Sequence, residues 1–432
     1  MRLLIQNGLI IDPSQNLEAI RDVLIEDGRI ADIAAGLANR PGLRGAERLD
    51  ARGCWVIPGI IDLHVHLREP GGEEDETLAS GTQAAAAGGV TTVLAMPNTS
   101  PPTDSPARLR SLYARARREC AVHALFAAAL TRGQAGEELT DMDALAEAGA
   151  AAFSDDGRPV MNAELLRRAL LSSKHLGLPV LDHAEDDALA GQGVLHEQAA
   201  RKLGVPGIPP ASEVRAVMRD LSLAALTGGR LHVCHVSCAG TVGLLREAKR
   251  RGLSVSAEAT PHHFTLTQED IPERAAADFK MKPPLRTRED REAVLEGLAD
   301  GTIDAIATDH APHAPRKKGR GLLRAPFGVI GLETLLPLSL SLVEKGRLSR
   351  HALVERLCAA PARILGLRAK GRLRRGADAD ITVLDPGIRF LVAEDFLSKS
   401  RNSPFIGRRL QGRAKATVVS GRIAFLRSEA AA

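Results

Sequence analysis

The stretch "PGIIDLHVHLREPG", residues 58–71, ends an apolar run with two histidines and an arginine at alternate positions. Alternate residues of a β-strand point to the same face of a sheet. His64, His66 and Arg68 can therefore present two imidazoles and a guanidinium together at the end of a buried strand. Such a group of polar side chains predicts an enzyme site at the carboxyl edge of a parallel sheet.

Apolar runs of this kind recur along the middle of the chain, separated by helical patterns rich in Ala, Leu and Arg. Near-continuous apolar strands that alternate with helices indicate a parallel sheet covered on both faces. Eight such units predict an α/β fold, a (β/α)8 barrel of the TIM type, with its chemistry at the carboxyl ends of the strands. The eight runs are "WVIPGIIDLHVH", "GVTTVLAMPN", "AVHALFAAAL", "GAAAFSDD", "LPVLDHAE", "RLHVCHVS", "LSVSAEATPHH" and "TIDAIATDH".

The two ends of the chain have a different pattern, in which short strands are broken by turn residues. Examples are "LLIQNGLIID" and "DVLIEDGRIADIA" near the amino end, and "ADITVLDP" and "KATVVSGRIAFLR" near the carboxyl end. We expect the two ends to pair into one small β-sandwich domain. The predicted organisation is a first part of this sandwich at 1–57, a metal-dependent barrel catalytic domain at 58–365 and the second part of the sandwich at 366–432.

Composition excludes several classes of protein. The chain has 432 residues, 44% of them hydrophobic and 25% charged, which suits one large and one smaller globular domain. The net charge is only +4 and the arginines are scattered, so no nucleic-acid partner is expected. No stretch reaches the roughly 18 apolar residues of a membrane span. Five cysteines without regular spacing argue against a disulfide framework, so we expect a cytoplasmic protein.

Histidines and aspartates recur where the later barrel strands end. They are Asp155 and Asp156 after the fourth strand, His183 after the fifth, His235 after the sixth and Asp309 after the eighth. An isolated His-x-His pair is more often a structural pair in a core. Together with His64 and His66, however, these residues are suitable ligands for two divalent ions, because imidazole suits Zn²⁺ and a carboxylate can bridge two ions. Two ions about 3.5–4 Å apart can share one hydroxide and polarise a substrate carbonyl.

Several sequence blocks together resemble the dihydroorotases of the amidohydrolase superfamily, in order and spacing, over nearly the whole chain. They are "PGIIDLHVHLREPG", "SGTQAAAAGGVTTVLAMPNTSP", "FSDDG", "HVCHVS", "TPHH" and "IATDHAPH…APFGVIGLET", with "GADADITVLD" resembling the family's C-terminal sandwich strand. The resemblance implies the reversible cyclisation of N-carbamoyl-L-aspartate to (S)-dihydroorotate plus water, a step of pyrimidine biosynthesis.

The resemblance also implies roles for individual residues. One zinc ion would be held by His64, His66 and Asp309, and the other by His183 and His235. Asp156 would bridge them where many relatives use a carbamylated lysine, and Asp155 would have a supporting or turn role. A hydroxide shared by the two ions would attack the amide carbonyl, and Asp309 would carry the proton to the leaving nitrogen. The implied substrate contacts are His66, Arg68, Asn98, His313, Phe327 and Gly328. For Arg68 the structural alternative is a salt bridge to Glu69 or Glu73.

Two positions depart from the family pattern. Lys282, in "KMKPPLR", stands where the family has an asparagine that touches substrate; the lysine either reaches the acidic substrate itself or points away. A missing hydrogen bond of this kind costs about 0.5–1.5 kcal/mol, so it would weaken binding without abolishing it. The basic segment "PRKKGRGLLRAPFG", residues 315–328, is expected to be a loop. It is a solvated charge run, a lid that attracts a dianionic substrate, or a docking surface for a partner.

Three hypotheses follow. The first is an active dihydroorotase. The second is another cyclic amidase of the hydantoinase or allantoinase type, which Arg68 and "MPNT" disfavour because they suit an acidic ring. The third is a catalytically silent subunit that scaffolds aspartate carbamoyltransferase, which is disfavoured because all six ligands are present. A homodimer and a complex with aspartate carbamoyltransferase are the macromolecular assemblies compatible with the resemblance.

Overall fold

A computed structural model describes residues 2–40, 42–43 and 45–428. Its centre is a barrel of eight strands that are hydrogen-bonded in chain order. Each neighbouring pair is parallel. A bridge between Val65 and His310 joins the end of the last strand to the first, and the His66 amide donates to the His310 carbonyl at 2.8 Å. The predicted α/β barrel is therefore confirmed. Its strands are Ile60–Val65, Val90–Ala95, His123–Ala129, Ala152–Ser154, Val180–Asp182, Leu231–Val233, Val255–Ala259 and Ala305–Ile306.

Helices cover the outside of the barrel. Ala163–Leu176 is typical: the Asn162 side chain accepts hydrogen bonds from two amides of its first turn, and its leucines at 165, 166 and 170 are buried. Among the described residues, no helix combines the length and apolar character needed to cross a bilayer. The α-helices are Leu78–Ala87, Pro106–Glu119, Met142–Glu147, Ala163–Leu176, Asp187–Ala190, Glu197–Leu203, Pro210–Thr227, Ala239–Arg250, Pro261–Thr265, Arg288–Asp300, Pro315–Lys318, Leu335–Glu344, Arg350–Val354 and Ala360–Ile364.

The two ends of the chain build a second sheet, which we call the terminal sheet. Its strands are Arg2–Asp12, Leu17–Glu26, Arg29–Ala34, Glu47–Asp50, Trp55–Pro58, Ile381–Leu391, Arg409–Val419 and Arg422–Leu426. Antiparallel pairing of Trp55–Pro58 with Ile381–Leu391 joins the amino-terminal strands to the carboxyl-terminal ones. Ile30 in the edge strand Arg29–Ala34 and Val418 in the strand next to the opposite edge share one apolar core with Ile10. The sheet therefore curls around its own core, as the predicted sandwich of both ends requires.

The first predicted barrel run, "WVIPGIIDLHVH", needs a correction. It forms two strands that belong to different sheets, because Trp55–Pro58 lies in the terminal sheet and Ile60–Val65 in the barrel. The change occurs at Gly59, where a Cβ atom would lie 2.2 Å from Thr91 Oγ1. Only glycine permits this close approach. The domain limits at 57/58 and 365/366 stay predictions, and residues 1, 41, 44 and 429–432 of the outer ranges lie outside the described residues.

Candidate active site

The carboxyl ends of the barrel strands bring all six predicted metal ligands together, and Asp156 lies at their centre. Its Oδ1 is 3.2 Å from His64 Nε2, 3.6 Å from His183 Nδ1 and 3.8 Å from His235 Nε2. Its Oδ2 is 3.5 Å from His66 Nε2. One carboxylate therefore faces four imidazoles from the first, fifth and sixth strands.

Asp309 lies on the side of this group nearest the first strand. Its Oδ1 is 3.1 Å from His66 Nε2 and 3.6 Å from His64 Nε2. Two sets of ligand atoms compact enough for one metal ion share Asp156, namely His64 with His66 and His183 with His235. Asp156 therefore lies where a ligand common to two ions would have to lie.

Hydrogen bonds from neighbouring residues orient two of the imidazoles. His64 Nδ1 lies 2.8 Å from Glu258 Oε1, so this nitrogen carries a hydrogen and donates a hydrogen bond to the carboxylate. In the same way His66 Nδ1 lies 2.9 Å from Asn98 Oδ1, and the Asn98 amide donates to Asp156 Oδ2 at 3.2 Å. Both imidazoles therefore direct the lone pair of Nε2 at the Asp156 and Asp309 carboxylates.

These facing atoms suit a bound cation. His64 Nε2 and Asp156 Oδ1 are buried, have no hydrogen-bond partner and face each other at 3.2 Å. A lone pair and a carboxylate oxygen so close repel each other unless a proton or a metal ion lies near both. Burial would lower the pKa of His64, but the charge of Asp156 raises it well above its usual value. The donor set of imidazoles and carboxylates thus fits divalent metal ions.

The backbone at this site has positive φ angles, which residues other than glycine rarely adopt. Arg68, His235 and Asp309 have φ angles of 58°, 33° and 47°. Left-handed geometry at such residues costs on the order of 1–3 kcal/mol each and persists only where the surrounding structure enforces it. Two proposed ligands and the nearby arginine are therefore aimed by strained backbone at the ends of their strands.

The structure separates the two adjacent aspartates of "FSDDG". Asp156 points at the imidazoles, whereas Asp155 Oδ1 accepts from the Leu130 amide at 2.8 Å and the Thr131 amide at 3.1 Å. The Thr131 hydroxyl also donates to Asp155. Asp155 thereby anchors the loop that follows the third strand, which is the supporting role expected for it.

A cleft of about 220 Å³ opens beside the ligands. All the side chains that the sequence nominated for substrate line it, namely His66, Arg68, Asn98, Lys282, His313, Phe327 and Gly328. Gly328 has a φ of +123°, and a Cβ atom there would lie 2.5 Å from the Ala311 Cβ. The loop can pass this close to the cleft only with glycine.

Arg68 brings a positive charge to the cleft. Its Nε donates to the Pro312 carbonyl at 3.2 Å, and its Nη2 lies 3.3 Å from His313 Nε2. The alternative of a salt bridge to Glu69 or Glu73 is wrong: Glu69 pairs with Arg115, and Glu73 accepts from the Gly71 amide. The guanidinium is therefore held by neutral groups and keeps its charge available for an anion.

Lys282 does not extend freely into the cleft. Its amine forms an ion pair with Glu185, a buried carboxylate two residues after His183, and lies 5.4 Å from the centre of the Phe327 ring. The neighbouring basic segment is not a plain solvated loop either. It begins with the short helix Pro315–Lys318, and Lys318 is only 6% exposed.

Sequence reasoning did not identify Glu258 or Glu185. Glu258 is fully buried in the seventh barrel strand and also lies 3.1 Å from His232 Nε2 through its Oε2. A charged residue in the middle of an otherwise apolar strand was the available signal. Glu185 carried no such signal, because its role depends on Lys282, which is distant in sequence.

Comparison with known proteins gives consistent results. A family model described as dihydro-orotase-like matches residues 53–240. A dihydroorotase of Anaeromyxobacter dehalogenans is 50% identical over 424 residues, covering 98% of this chain and 97% of that protein. A dihydroorotase of Pelobacter propionicus is 48% identical over 429 residues, covering 99% and 100%. Among solved structures, an L-hydantoinase (dihydropyrimidinase) of Arthrobacter aurescens is similar with a TM-score of 0.89 at 27% identity, covering 100% and 97%.

Proposed function

The chain belongs to the dihydroorotase family, and we propose that it catalyses the reversible cyclisation of N-carbamoyl-L-aspartate to (S)-dihydroorotate and water in the cleft beside Asp156. The observation that carries the proposal is the convergence of four imidazoles on this carboxylate next to a cleft that contains an arginine. Five unpaired cysteines suit a reducing compartment, so we place the reaction in the cytoplasm.

The proposed cofactor is a pair of zinc ions. His64, His66 and Asp309 would hold one, His183 and His235 the other, and Asp156 would contact both. When bound, such ions supply a nucleophilic hydroxide at neutral pH and polarise a substrate carbonyl. The role of the chain is to fix the tautomer and the orientation of these imidazoles, which Glu258 and Asn98 do through the Nδ1 atoms of His64 and His66.

Asp309 is the proposed proton carrier. Burial would raise its pKa, but the neighbouring His66 and His64 lower it far below the usual value, so the carboxylate is ionised at neutral pH. In the hydrolytic direction it can accept the proton of the attacking water and transfer it to the ring nitrogen that leaves. In the biosynthetic direction the same carboxylate receives the proton from the attacking nitrogen.

Arg68 is the proposed partner of the substrate carboxylate, because a guanidinium with no paired carboxylate can bind one through two N–H groups. We assign Asn98, His313, Phe327 and Gly328, which line the same cleft, to contacts with the rest of the substrate ring. This cation also separates the candidate activities. A hydantoin ring without a carboxylate would leave the guanidinium unused, whereas dihydroorotate would neutralise it. The relatives named dihydroorotase are about 50% identical over nearly the full length, whereas the hydantoinase is 27% identical. This difference also favours dihydroorotate over a hydantoin as the substrate.

The decisive experiment measures metal content and hydrolysis of dihydroorotate, hydantoin and allantoin on the purified chain. We expect two zinc ions per chain and turnover of dihydroorotate alone. In the His64→Ala variant both metal and turnover should be lost, because the variant removes one of the ligand atoms of the first ion site. His175→Ala, an exposed histidine outside the barrel mouth, is the matched control and should behave as wild type. Near-normal activity of His64→Ala would refute the assignment.

Assembly with a second copy of the chain, or with aspartate carbamoyltransferase, stays a prediction. Metal-loaded but inactive protein that gains activity only with aspartate carbamoyltransferase would indicate that the partner completes the site. Light scattering of the purified chain tests the homodimer.

A further inference from the structure

The basic segment 315–328 divides its cations between surface and interior. Arg316 pairs with the exposed Glu74, and the partly buried Lys317 pairs with the buried Asp75 at 2.6 Å. Lys318 points the other way and is 6% exposed. Buried lysines are rare because removing an ammonium from water is costly. Lys318 therefore needs a specific reason to be inside.

Three backbone carbonyls surround the Lys318 amine. Its Nζ donates to Ala277 O at 2.8 Å, to Pro326 O at 3.1 Å and to Lys280 O at 3.3 Å. An ammonium group has three N–H bonds and no acceptor, so each of its hydrogens has one carbonyl. This lysine joins the beginning of its own loop to the end of that loop and to the separate segment 277–280.

Lys280 makes the reverse connection. It is 2% exposed, and its Nζ donates to Leu322 O at 2.9 Å and to Leu323 O at 3.2 Å. The same amine lies 4.5 Å from the centre of the Phe327 ring. Each lysine thus binds backbone of the segment that carries the other, and the Gly328 amide adds a hydrogen bond to Lys280 O at 2.9 Å. Phe327 and Gly328, which line the cleft, lie at the end of the loop held in this way.

We propose that Lys280 and Lys318 are positioning residues, a reciprocal lysine clamp that holds Phe327 and Gly328 against the substrate cleft and so determines affinity for the cyclic substrate. The inference rests on the proposed function, since it assigns these two residues to the dihydroorotate subsite. Neither amine lines the cleft, so the clamp acts on binding through the loop and leaves proton transfer at Asp309 unchanged.

The test combines kinetics with limited trypsin digestion at the exposed Arg324 of the loop. In Lys318→Met, which keeps most of the length of the side chain but removes its donors, we expect cleavage after Arg324 to be about tenfold faster. KM for dihydroorotate should rise about tenfold while kcat stays within about twofold, because only binding depends on the clamp.

Arg316→Met is the matched control, because it removes a nearby cation that pairs at the surface with the exposed Glu74; the cleavage rate after Arg324 and KM should stay close to wild type. Lys280→Met carries the same test if Lys318→Met fails to fold. Equal digestion rates and KM in wild type and folded clamp variants would overturn the proposal, as would a tenfold loss of kcat with unchanged KM. Digestion needs no turnover, so it reports on the clamp even if dihydroorotate proves not to be the substrate.

Discussion

The barrel mouth and the terminal sheet treat their buried polar atoms differently. At the mouth, His64 Nε2 and Asp156 Oδ1 are buried without hydrogen-bond partners, and left-handed backbone occurs at an arginine, a histidine and an aspartate. In the terminal sheet, the buried Asp12 accepts from the Ser14 and Leu373 amides, each at 2.9 Å. Left-handed residues there include Asn7, Asn16 and Asp27, residue types that tolerate this geometry, as do the histidine and the aspartate of the mouth but not its arginine.

This difference shows which region lowers the folding stability of the chain and which region raises it. Unpaired buried atoms and strained backbone cost stability at the mouth, and they are retained because the site needs converging lone pairs. The terminal sheet, with its apolar core and satisfied polar atoms, offsets that cost without contributing a side chain to the cleft. Substitutions in the two regions should therefore separate catalysis from stability.

The largest expected effect is on turnover at the mouth. Asp309→Asn should lower kcat by about 10³-fold while most of the metal remains bound, because the amide cannot carry a proton. Thermal unfolding should change little. Steady-state kinetics together with metal analysis check this, with Asp300→Asn, which removes a surface carboxylate paired with Arg246, as the control. An unchanged kcat would exclude Asp309 as the proton carrier.

The terminal sheet should show the opposite behaviour. Ile10→Ala removes a fully buried side chain from its core and should lower the free energy of unfolding by about 2–5 kcal/mol. The folded fraction should keep its kcat. Ile20→Ala, on the neighbouring strand but 65% exposed, should change stability by less than about 0.5 kcal/mol. Urea denaturation followed by circular dichroism measures both, and a loss of kcat in folded Ile10→Ala would erase the distinction between the regions.

A third variant probes the junction of the two regions. Burial raises the pKa of Glu333 to about 7, although its carboxylate accepts from the Leu397 amide at 2.8 Å and the Ser398 amide at 3.2 Å. The folded protein then retains a proton that the unfolded chain loses above its ordinary pKa, so this group's stabilising contribution falls as pH rises toward 7. Glu333→Gln keeps the acceptor without the charge. It should be more stable than wild type by about 1–2 kcal/mol at pH 8, and the gain should vanish near pH 4.5. A gain of equal size at both pH values would contradict this account of the carboxyl.

The smallest expected effect concerns Lys282, a mouth residue whose charge is already paired. Because Glu185 holds its amine, we expect it to be a poor substitute for an asparagine. Lys282→Asn should lower KM for dihydroorotate about threefold to tenfold, equivalent to a regained hydrogen bond. A companion Glu185→Gln variant frees the amine and tests whether the pairing is what withholds it. If KM instead rises in Lys282→Asn, the lysine itself contacts the substrate.

Strand periodicity was sufficient to predict the barrel and the pairing of the chain ends, because both depend on local apolar patterns. The grouping of the six ligand candidates also followed from sequence, since parallel strands end at the same edge. Other features depend on contacts between distant segments. Residue 59, between the two sheets, must be glycine because Thr91 approaches it. Lys318 is buried because three carbonyls accept from it, two of them in the distant segment 277–280. A run of cations in sequence gives no information about which member turns inward.

The pairing of Pro58 with Ile381 has a consequence for biosynthesis. The barrel strand Ile60–Val65, which contains His64 and is followed directly by His66, begins two residues after Pro58. The strand that pairs with Pro58 is translated more than three hundred residues later. During synthesis on the ribosome, this pairing cannot form until the carboxyl-terminal strands have emerged, so the segment that contains both histidines lacks it until then. Metal capture should consequently be a late, post-translational event in the maturation of this chain.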